Sequence, residues 1–354
     1  MPASTYLWQS PDWPNFRYDL PAVHAAVVAA RLAQGRLEGV AQALGLADAA
    51  LVQLRGWADE AQATAAIEGE QLALQSVRAS AARRLGLSEP PTKEDPRVEA
   101  TLDVLQAVLH PSATLDDATL LAWHAALFPT GRSGAQAITV GAYRTHAEPM
   151  QIVTPRLGKN DLVHFEAPPS SAVPTQMAQL LAWLNHGTSP NVHLDALSKA
   201  AIAHLWFETI HPFEDGNGRI GRALSEWVIA QDQGQMRLFS LSQQLWLHRK
   251  DYYAQLQAAT TRTDMDVTGW VLWFVQRIEA ACNASLAQVQ SAIQKTEFWH
   301  ATHAAMPTLN ASQRKVLNTL FEAQPDGFSN GLPPNSTPKS VKFPAPRRIA
   351  NLRP

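Results

Sequence analysis

The chain has 354 residues, of which 46% are hydrophobic and 17% are charged, and its formal net charge is -2. This balance is typical of a globular protein and gives no global reason to expect nucleic-acid or membrane binding. No apolar run is long enough for a membrane span, Cys282 is the single cysteine, and the N-terminus lacks the features of a signal peptide. We therefore expect a cytoplasmic protein without membrane spans or internal disulfides.

The N-terminal third of the chain is predicted to be helical after a short aromatic segment. Residues 6–18 are rich in tryptophan and proline and are expected to lie over the body of the protein as an ordered strap. Apolar residues at helical spacing predict the helices that follow. These helices are expected at residues 21–34, 48–57, 59–86, 97–109 and 116–127.

A β-hairpin interrupts the helical pattern in the middle of the chain. Residues 150–154 and 162–166 alternate between apolar and polar side chains, and the segment between them contains Gly158 and Asn160. Alternation on both sides of a turn-forming segment predicts two paired strands. Helices are then expected at residues 174–185, 194–210, 216–232, 242–260, 267–290, 292–304 and 309–323. The predicted fold class is all-α with one hairpin.

Residues 211–222 carry the chemistry of the chain, with the sequence His-Pro-Phe-Glu-Asp-Gly-Asn-Gly-Arg-Ile-Gly-Arg. A glycine turn that opens a helix exposes free main-chain N–H groups at the positive end of the helix dipole, and these bind phosphate. Arg219 and Arg222 lie three residues apart on that helix, so both can face one anion. His211 is placed to accept a proton and Asp215 to hold a divalent cation. The spacing predicts an active site that handles phosphate.

Three other interpretations of this stretch are weaker. An ordinary joint between two helices would explain one well-placed histidine, but not the whole set of charged residues and glycines. A Walker A loop is excluded because no Gly-Lys-Ser/Thr is present. A zinc site is excluded because His211 has no second ligand four residues further on.

The stretch resembles the signature of the Fic family, His-x-Phe-x-Asp/Glu-Gly-Asn-Gly-Arg-x-x-Arg, and matches every defined position. Members of this family typically transfer AMP from ATP to a hydroxyl side chain of a target protein. The resemblance implies that His211 is the general base, that Phe213 anchors the loop, and that Asp215 binds Mg²⁺ between the α- and β-phosphates. The residues implied to bind the phosphates of ATP are Gly216, Asn217, Gly218, Arg219, Ile220, Gly221 and Arg222.

Residues 64–69, Thr-Ala-Ala-Ile-Glu-Gly, form a weak pattern when taken alone, and a solvent-facing helix surface explains them equally well. Beside the Fic signature they resemble the inhibitory motif Ser/Thr-x-x-x-Glu-Gly/Asn, which precedes the core in one class of the family. The resemblance implies that Glu68 pairs with Arg222 and occupies the space that the γ-phosphate needs. Thr64 and Gly69 are the other positions of the motif, and the inhibitory helix is expected at about residues 59–69.

The resemblance also assigns a role to the hairpin and to a later helix. In the family, a flap at the position of this hairpin aligns the target segment by strand addition. Outside the motif, the resemblance implies that the nucleotide is contacted by Val163, His164 and Phe165 on the flap, and by Tyr252 and Thr260 on the helix expected at residues 242–260. Two alternatives stay open: His164 is a surface residue without nucleotide contact, and Tyr252 packs half-buried on its helix. His124 and His204, on apolar helical faces, are expected to be core histidines with satisfied hydrogen bonds.

The resemblance implies a Fic-type helical bundle with a β-hairpin flap, extra N-terminal helices and a C-terminal helical extension. Residues 1–95 are expected to be the N-terminal helical region, 96–260 the Fic core, 261–323 C-terminal helices, and 324–354 a weakly ordered tail. The last helix resembles the start of a winged-helix module, but the sequence after Gly327 does not continue that pattern. A truncated or frame-shifted C-terminus is one explanation.

The predicted function is Mg²⁺-dependent transfer of AMP from ATP to a Ser, Thr or Tyr hydroxyl of an unidentified target protein, restrained by Glu68. A homodimer is compatible with the sequence. Two alternatives stay open. In the first, Glu68 positions a water that removes AMP from a modified protein, alone or beside the forward reaction. In the second, the nucleotide site is a sensor in a DNA-binding protein. Its only support is a group of basic residues that a solvated tail explains as well, namely Lys339, Lys342, Arg347 and Arg348.

Overall fold

The structure is a computed structural model that describes residues 6–44, 46–88, 90, 92–109, 114–154, 162–186, 194–233, 237–305 and 308–322. Within these residues the chain is helical, with two small antiparallel strand pairs. The all-α fold class is therefore confirmed. The chain divides into two compact units, Met1–Ala287 and Gln288–Pro354. The predicted tail at residues 324–354 lies outside the described residues, and the domain boundaries at residues 95 and 260 stay predictions.

The first unit contains most of the described helices. They are α1 (Leu20–Ala43), α2 (Leu46–Ile67), α3 (Leu74–Arg84), α4 (Pro96–Leu109), α5 (Asp117–Leu127), α6 (Val173–His186), α7 (Ala196–Ile210), α8 (Asn217–Gln233), α9 (Leu241–Leu247) and α10 (Arg249–Thr260). Helix α11 (Thr268–Ala305) contributes residues to both units, and α12 (Ala311–Glu322) belongs to the second. None of the helices in the described part of the chain has both the length and the hydrophobicity to cross a bilayer.

The predicted helix at residues 59–86 is wrong, because the structure has two helices with different boundaries there. Helix α2 begins at Leu46 and continues through Trp57, which is 2% exposed and packs in the core. It ends just before Glu68, where Gly69 adopts a left-handed φ of 80°. The Glu70 N–H donates to Ala65 O at 3.0 Å, and the Gly69 N–H donates to the next carbonyl at 3.0 Å. This pair of bonds is a Schellman motif, which favours glycine at its left-handed position.

Other helix boundaries also differ from the prediction. Helix α1 continues beyond residue 34 to Ala43, because Leu37 and Ala41 are 1% and 2% exposed and extend its buried face. That burial outweighs the two internal glycines, which disfavour a helix by about 1 kcal/mol each. The segment predicted as one helix at residues 242–260 is divided at His248, and the two predicted helices at 267–290 and 292–304 are one continuous α11.

The predicted hairpin is confirmed. Strand β3 (Gln151–Thr154) pairs antiparallel with β4 (Leu162–Glu166), with Ile152 opposite Phe165 and a bulge after Ile152 that brings Val153 opposite Val163. The loop at residues 155–161 lies outside the described residues. A second pair, β1 (Arg132–Ser133) with β2 (Gln136–Ala137), was not predicted and holds two residues on each strand.

The strap at residues 6–18 packs against the buried helix α7 of the first unit. Leu7 is fully buried, the Trp8 Nε1–H donates to Glu166 O at 2.7 Å, and Trp13 packs edge-on against Trp206 of α7. The strap is therefore ordered, as expected. Nearly every residue of α7 is buried, and α7 packs along α8. The two helices are joined by residues 211–216, so the predicted motif lies at the core of the fold. Cys282 is fully buried.

Candidate active site

His211 stands at the C-terminal end of α7 in an unusual backbone conformation. Its φ and ψ are 50° and 62°, in the left-handed region that costs a residue other than glycine roughly 1–2 kcal/mol. The His211 N–H donates to Phe207 O at 2.9 Å and closes the helix. This conformation turns the chain out of α7 and starts the loop that leads into α8.

Arg144 holds this turn from outside the motif. Its Nε donates to His211 O at 2.8 Å, and its Nη2 donates to Ile210 O at 3.3 Å and to Pro168 O at 2.6 Å. The residue is 1% exposed, and burial lowers its pKa to about 10, so it stays charged at neutral pH. Arg144 thus satisfies carbonyls that the end of α7 leaves free and ties His211 to the segment after β4.

Asn217 and Phe213 fix the loop itself. Asn217, the first residue of α8, accepts a hydrogen bond from the Phe213 N–H at 2.9 Å and donates from Nδ2 to Phe213 O at 2.8 Å. Phe213 is fully buried, and its ring stacks on His124 with the centroids 4.0 Å apart. The amide of Asn217 is therefore engaged with the main chain of the loop.

His124 supports the same loop and is a buried histidine with both ring nitrogens bonded. The Gly141 N–H donates to its Nδ1 at 3.0 Å, so Nε2 carries the proton and donates to Asp215 O at 3.1 Å. Burial lowers its pKa, which keeps the ring neutral. The expectation of satisfied core histidines is confirmed here. It is confirmed also for His204, which bonds to the Tyr252 hydroxyl and to Ser225.

The glycines of the motif are sites of close approach. Gly216 has a φ of 81°, and a Cβ added to it would lie 2.7 Å from the Phe128 ring. A Cβ at Gly218 would collide with Glu68 Oε1 and lie 3.0 Å from Arg222 Nη1. A side chain at either position would therefore displace its neighbours, and the start of α8 presents main chain alone to the space above it.

The structure brings Arg222 together with residues of the predicted inhibitory motif. Arg222 is 2% exposed, and its Nη2 donates to Glu68 Oε1 at 2.7 Å. Its Nε donates to Thr64 Oγ1 at 2.8 Å, and Nη2 also donates to Thr64 O at 3.1 Å. Burial acts to lower the pKa of Arg222, but Glu68, Tyr252 and Glu208 together outweigh it, and the pKa is raised. Gly69 ends the helix and contacts nothing of the motif within 4 Å of its Cβ position.

A second ion pair lies beside the first and was missed in the sequence. Arg219 Nη1 donates to Glu70 Oε1 at 3.0 Å, and the Arg219 guanidinium lies over the Phe128 ring, 4.8 Å from its centroid. The Arg219 side chain is 10% exposed and that of Glu70 is 34% exposed. Both arginines of the motif therefore pair with carboxylates from the end of α2. The signal in the sequence was the acidic residue directly after the Glu-Gly pair.

Asp215 stands at the turn before α8, where its side chain is half-buried. Its Oδ1 accepts a hydrogen bond from the Gly216 N–H at 2.5 Å, and its Oδ2 accepts one from the Ser133 hydroxyl. No cluster of three metal-ligating side chains occurs among the residues that the structure describes. Mg²⁺ is commonly bound by one or two carboxylates together with substrate phosphates and water. A lone carboxylate next to the glycine turn at the start of α8 fits that mode.

Tyr252, which the resemblance places beside the adenine of ATP, and Thr260, a weaker candidate for the same contact, are both buried in this structure. Tyr252 is 2% exposed, and its hydroxyl bonds to His204 Nε2 at 2.8 Å. Thr260 is 4% exposed, and its hydroxyl donates to Leu256 O at 2.9 Å. The neighbouring Tyr253 is 48% exposed, and its hydroxyl donates to a carbonyl at the end of α2, 3.4 Å away. Contact of Tyr252 and Thr260 with adenine stays a prediction.

The flap residues have mixed environments. Val163 is 38% exposed, His164 is half-buried, and Phe165 is 5% exposed and packs edge-on against Tyr6 of the strap. The exposed apolar side chains of the hairpin include Ile152 at 42%. Their contact with a nucleotide stays a prediction as well.

Taken together, these residues define a class of site. A neutral histidine at the end of a buried helix lies beside a glycine turn, a helix N-terminus, two arginines and one carboxylate. This combination is typical of a site that transfers a phosphate-containing group. Residues 114–229 match the Fic/DOC family, and residues 6–87 match a domain of unknown function, DUF4172. This match assigns a Fic/DOC domain to residues 114–229 of the chain.

Known relatives share parts of this chain. It is 37% identical over 78 residues to a probable protein adenylyltransferase of Aquifex aeolicus, covering 21% of this chain and 23% of that protein. It is 28% identical over 141 residues to the protein adenylyltransferase fic-1 of Caenorhabditis briggsae, covering 40% of this chain and 25% of that protein. The matched part therefore spans about a quarter of the length of these curated relatives.

A solved structure shares the fold over a larger part of the chain. It is a Fic family protein from Desulfovibrio desulfuricans G20, which superimposes with a TM-score of 0.58 at 26% sequence identity. The match covers 76% of this chain and 75% of that one. The Fic helical fold with its hairpin flap is thus shared beyond the family domain itself.

Proposed function

We propose that this protein transfers AMP from ATP to a hydroxyl side chain of a target protein. The observation that carries the proposal is the folded motif, in which a short loop joins His211 to the N-terminus of α8 with Arg219 and Arg222. The names of the two curated relatives, both protein adenylyltransferases, support the same activity. In the reaction, the target oxygen forms a bond to the α-phosphorus, the bond to the β-phosphate breaks, and pyrophosphate leaves.

The phosphates are proposed to bind at the start of α8. Gly216 and Gly218 have no side chains of their own to block the first turn, and the helix adds the equivalent of about half a positive charge there. Arg219 and Arg222 supply two further positive charges. Asp215 is proposed to hold a Mg²⁺ ion, which would offset the charge of the phosphates.

His211 is proposed to be the general base that takes the proton of the target hydroxyl. Burial, followed by the positive charge of Arg144, lowers the pKa of His211 to about 4. The ring is therefore neutral near pH 7 and has a nitrogen available to accept a proton. A general base in this role contributes on the order of 10²–10⁴-fold to the rate.

The end of α2 is proposed to restrain the reaction. Glu68 holds Arg222 at 2.7 Å, and its carboxylate lies directly over Gly218, where a phosphate would sit. A γ-phosphate and the Glu68 carboxylate cannot occupy this space together. ATP would bind there productively only after Glu68 moves away.

The test is transfer of label from α-labelled ATP to protein in a cell lysate, with the acceptor identified by mass spectrometry. Glu68→Gly is expected to increase labelling over the parent, because Arg222 becomes available to phosphate. His211→Ala in the same background is expected to abolish labelling while ATP still binds. Labelling that persists without His211 would show that the base is assigned wrongly, and a Glu68→Gly protein no more active than the parent would remove the inhibitory role.

Removal of AMP from a modified protein is the second candidate. The observation in its favour is that the Glu68 side chain is 27% exposed and stands over the proposed phosphate site, where it could orient a water. Incubation of a pre-modified target with the parent and with Glu68→Gly separates the two. Loss of AMP that needs Glu68 would support removal, whereas no loss with either protein would leave transfer as the function.

A further inference from the structure

A buried carboxyl group lies directly behind His211. Glu208 is one helical turn earlier on α7, its side chain is 7% exposed, and its Oε2 lies 3.8 Å from His211 Nδ1. Among the described residues, Glu208 Oε1 and His211 Nδ1 are both buried atoms without a hydrogen-bond partner. Native proteins leave few such atoms unpaired, and these two belong to side chains that approach each other to 3.8 Å through Oε2. A side-chain rotation that shortens the gap by about 1 Å would join them in a hydrogen bond.

The position of this carboxyl group depends on a glycine of the motif. A Cβ added to Gly221 would lie 2.5 Å from Glu208 Oε1 and 3.3 Å from Phe207 Cδ1. Any larger residue at position 221 would therefore displace the carboxyl group, because protein interiors are close-packed. The missing side chain of Gly221 leaves room for Glu208 between α7 and α8.

We propose that Glu208 is a positioning residue for His211. Its carboxylate accepts a hydrogen bond from Nδ1–H and so leaves Nε2 unprotonated and directed at the target hydroxyl. The inference rests on the proposed function, in which His211 is the general base. A neutral imidazole carries one proton, so a carboxylate at Nδ1 selects the tautomer whose Nε2 can accept a second. The same carboxylate stabilises the imidazolium after Nε2 has taken that proton.

The charges around Glu208 decide when this arrangement forms. Burial raises the pKa of Glu208 to about 8, against the opposing effect of Arg222 and with a further rise from Glu68. While Glu208 is protonated, its O–H can donate to His211 Nδ1, which leaves the ring proton on Nε2. That tautomer cannot accept the target proton. The competent tautomer is therefore favoured as the pH rises and Glu208 ionises.

The charges around His211 keep the ring neutral over the same range. Burial and then Arg144 lower its pKa to about 4, and the Glu208 main chain, Glu68 and Asp215 act in the opposite direction. The ring therefore does not titrate where Glu208 does. A rise in kcat with pH in this range would report Glu208 and not His211 itself.

The experiment measures kcat and KM for ATP against pH in the full chain carrying Glu68→Gly, with and without Glu208→Gln. Because only the orientation and the charge partner of the base are lost, kcat is expected to fall by roughly 10–100-fold, less than the whole contribution of a general base. The rise of kcat with pH is expected to disappear. An unchanged kcat and pH profile would overturn the proposal. A raised KM with unchanged kcat would overturn it too, because Glu208 would then act on Arg222.

Glu226→Gln is the matched control. Glu226 is a buried carboxylate on α8 that pairs with Arg237, and it is 2% exposed. The same isosteric change at this position is expected to keep the shape of the pH profile. Loss of the pH dependence in this variant as well would show that any buried carboxyl group produces the effect, and the proposal would fail.

A second measurement does not depend on replacing Glu208. Nitrogen NMR of the Glu68→Gly protein reports which nitrogen of His211 carries the proton, with the signals assigned by their absence from His211→Ala. The proton is expected on Nδ1 at high pH. A proton on Nε2 at every pH above the His211 pKa would overturn the proposal. If the Glu68→Gly protein transfers no AMP at any pH, the proposed function fails, and the NMR result still decides the hydrogen bond.

Discussion

Replacement of Glu68 by alanine isolates the carboxylate that pairs with Arg222, because alanine keeps the helix end without the added freedom of glycine. The pair is 2.7 Å long, with Arg222 side chain 2% exposed and Glu68 27% exposed. Hydrogen bonds to charged groups contribute about 1.5–3 kcal/mol, and a fully buried pair would cost more to break. Because Thr64 keeps its bonds to Arg222, we expect the variant without nucleotide to be less stable by about 1.5–3 kcal/mol.

Under the proposed inhibition, the same free energy would oppose binding of the γ-phosphate in the parent protein. Since 1.4 kcal/mol corresponds to a factor of ten, removing the competitor is expected to strengthen γ-phosphate binding by roughly 10–100-fold. The assay is calorimetric titration of parent and Glu68→Ala with Mg-ATP and with Mg-ADP. ADP lacks the γ-phosphate, so the ratio of the ATP and ADP affinities isolates the contact that Glu68 is proposed to block. We expect this ratio to be near one in the parent and to rise in the variant.

Two results would refute this reasoning. An unchanged ratio of ATP to ADP affinity would show that Glu68 does not compete with the γ-phosphate. A variant as stable as the parent in chemical denaturation would show that the ion pair is too weak to restrain anything. The control is Glu94→Ala, which removes a carboxylate that is 73% exposed and lies 3.5 Å from Arg83. Such a surface pair contributes about 0–1 kcal/mol, so neither quantity is expected to change by more than that.

Three further expectations concern neighbouring residues. Glu70→Gln weakens the ion pair to Arg219, in which the Glu70 side chain is 34% exposed. The affinity for ATP, measured by calorimetry, is expected to rise only about two- to fivefold, as for a surface ion pair. An unchanged affinity would show that Glu70 has no part in inhibition. In Arg144→Lys the lysine cannot bridge the three carbonyls that Arg144 contacts. We expect the free energy of unfolding to fall by about 1–3 kcal/mol in chemical denaturation, together with a lower kcat. Values equal to those of the parent would show that the left-handed turn at His211 is stable without Arg144. Burial raises the pKa of Glu208 to about 8, from an ordinary value of 4.5, so the folded state binds more protons than the unfolded state between these values and loses stability as the pH rises. The Tm gain of Glu208→Gln over the parent should therefore be larger at pH 8 than at pH 5, and an equal gain at both would contradict that titration.

The motif at residues 211–222 was predictable because its geometry is local. A glycine turn followed by two arginines at a spacing of three places them on one face of a helix whatever the rest of the chain does. The pairing of Glu68 with Arg222 is different, because 154 residues separate them. Only the resemblance to the inhibitory motif of the Fic family connected them in the sequence, and the structure places them 2.7 Å apart.

Arg144 and Glu208 could not be located from local spacing. The partners of Arg144 are main-chain carbonyls 24 to 67 residues away, and any residue type supplies a carbonyl. Glu208 left a weak signal, since it is an acidic residue within the apolar run of α7. Such a residue indicates a buried carboxyl group, but not that it faces a glycine on the next helix. The prediction that one helix ends at residue 57 and another begins at residue 59 was wrong for a related reason. Trp57 is buried in the core, and α2 continues through this position.

The contact between α2 and α8 joins helix ends of opposite charge. The C-terminal end of α2 has the negative end of its dipole, and Glu68 and Glu70 add two carboxylates there; the N-terminal end of α8 has the positive end and two arginines. This is the charge pattern of a polyphosphate bound at a helix N-terminus, with protein carboxylates in place of phosphates. Gly69 makes this contact possible, because its φ of 80° turns the chain between the two glutamates just after α2 ends, and both can point toward the arginines. Inhibition by α2 and binding of ATP would then depend on the same electrostatic attraction to the N-terminus of α8. A movement that releases the end of α2 would therefore expose this site to ATP.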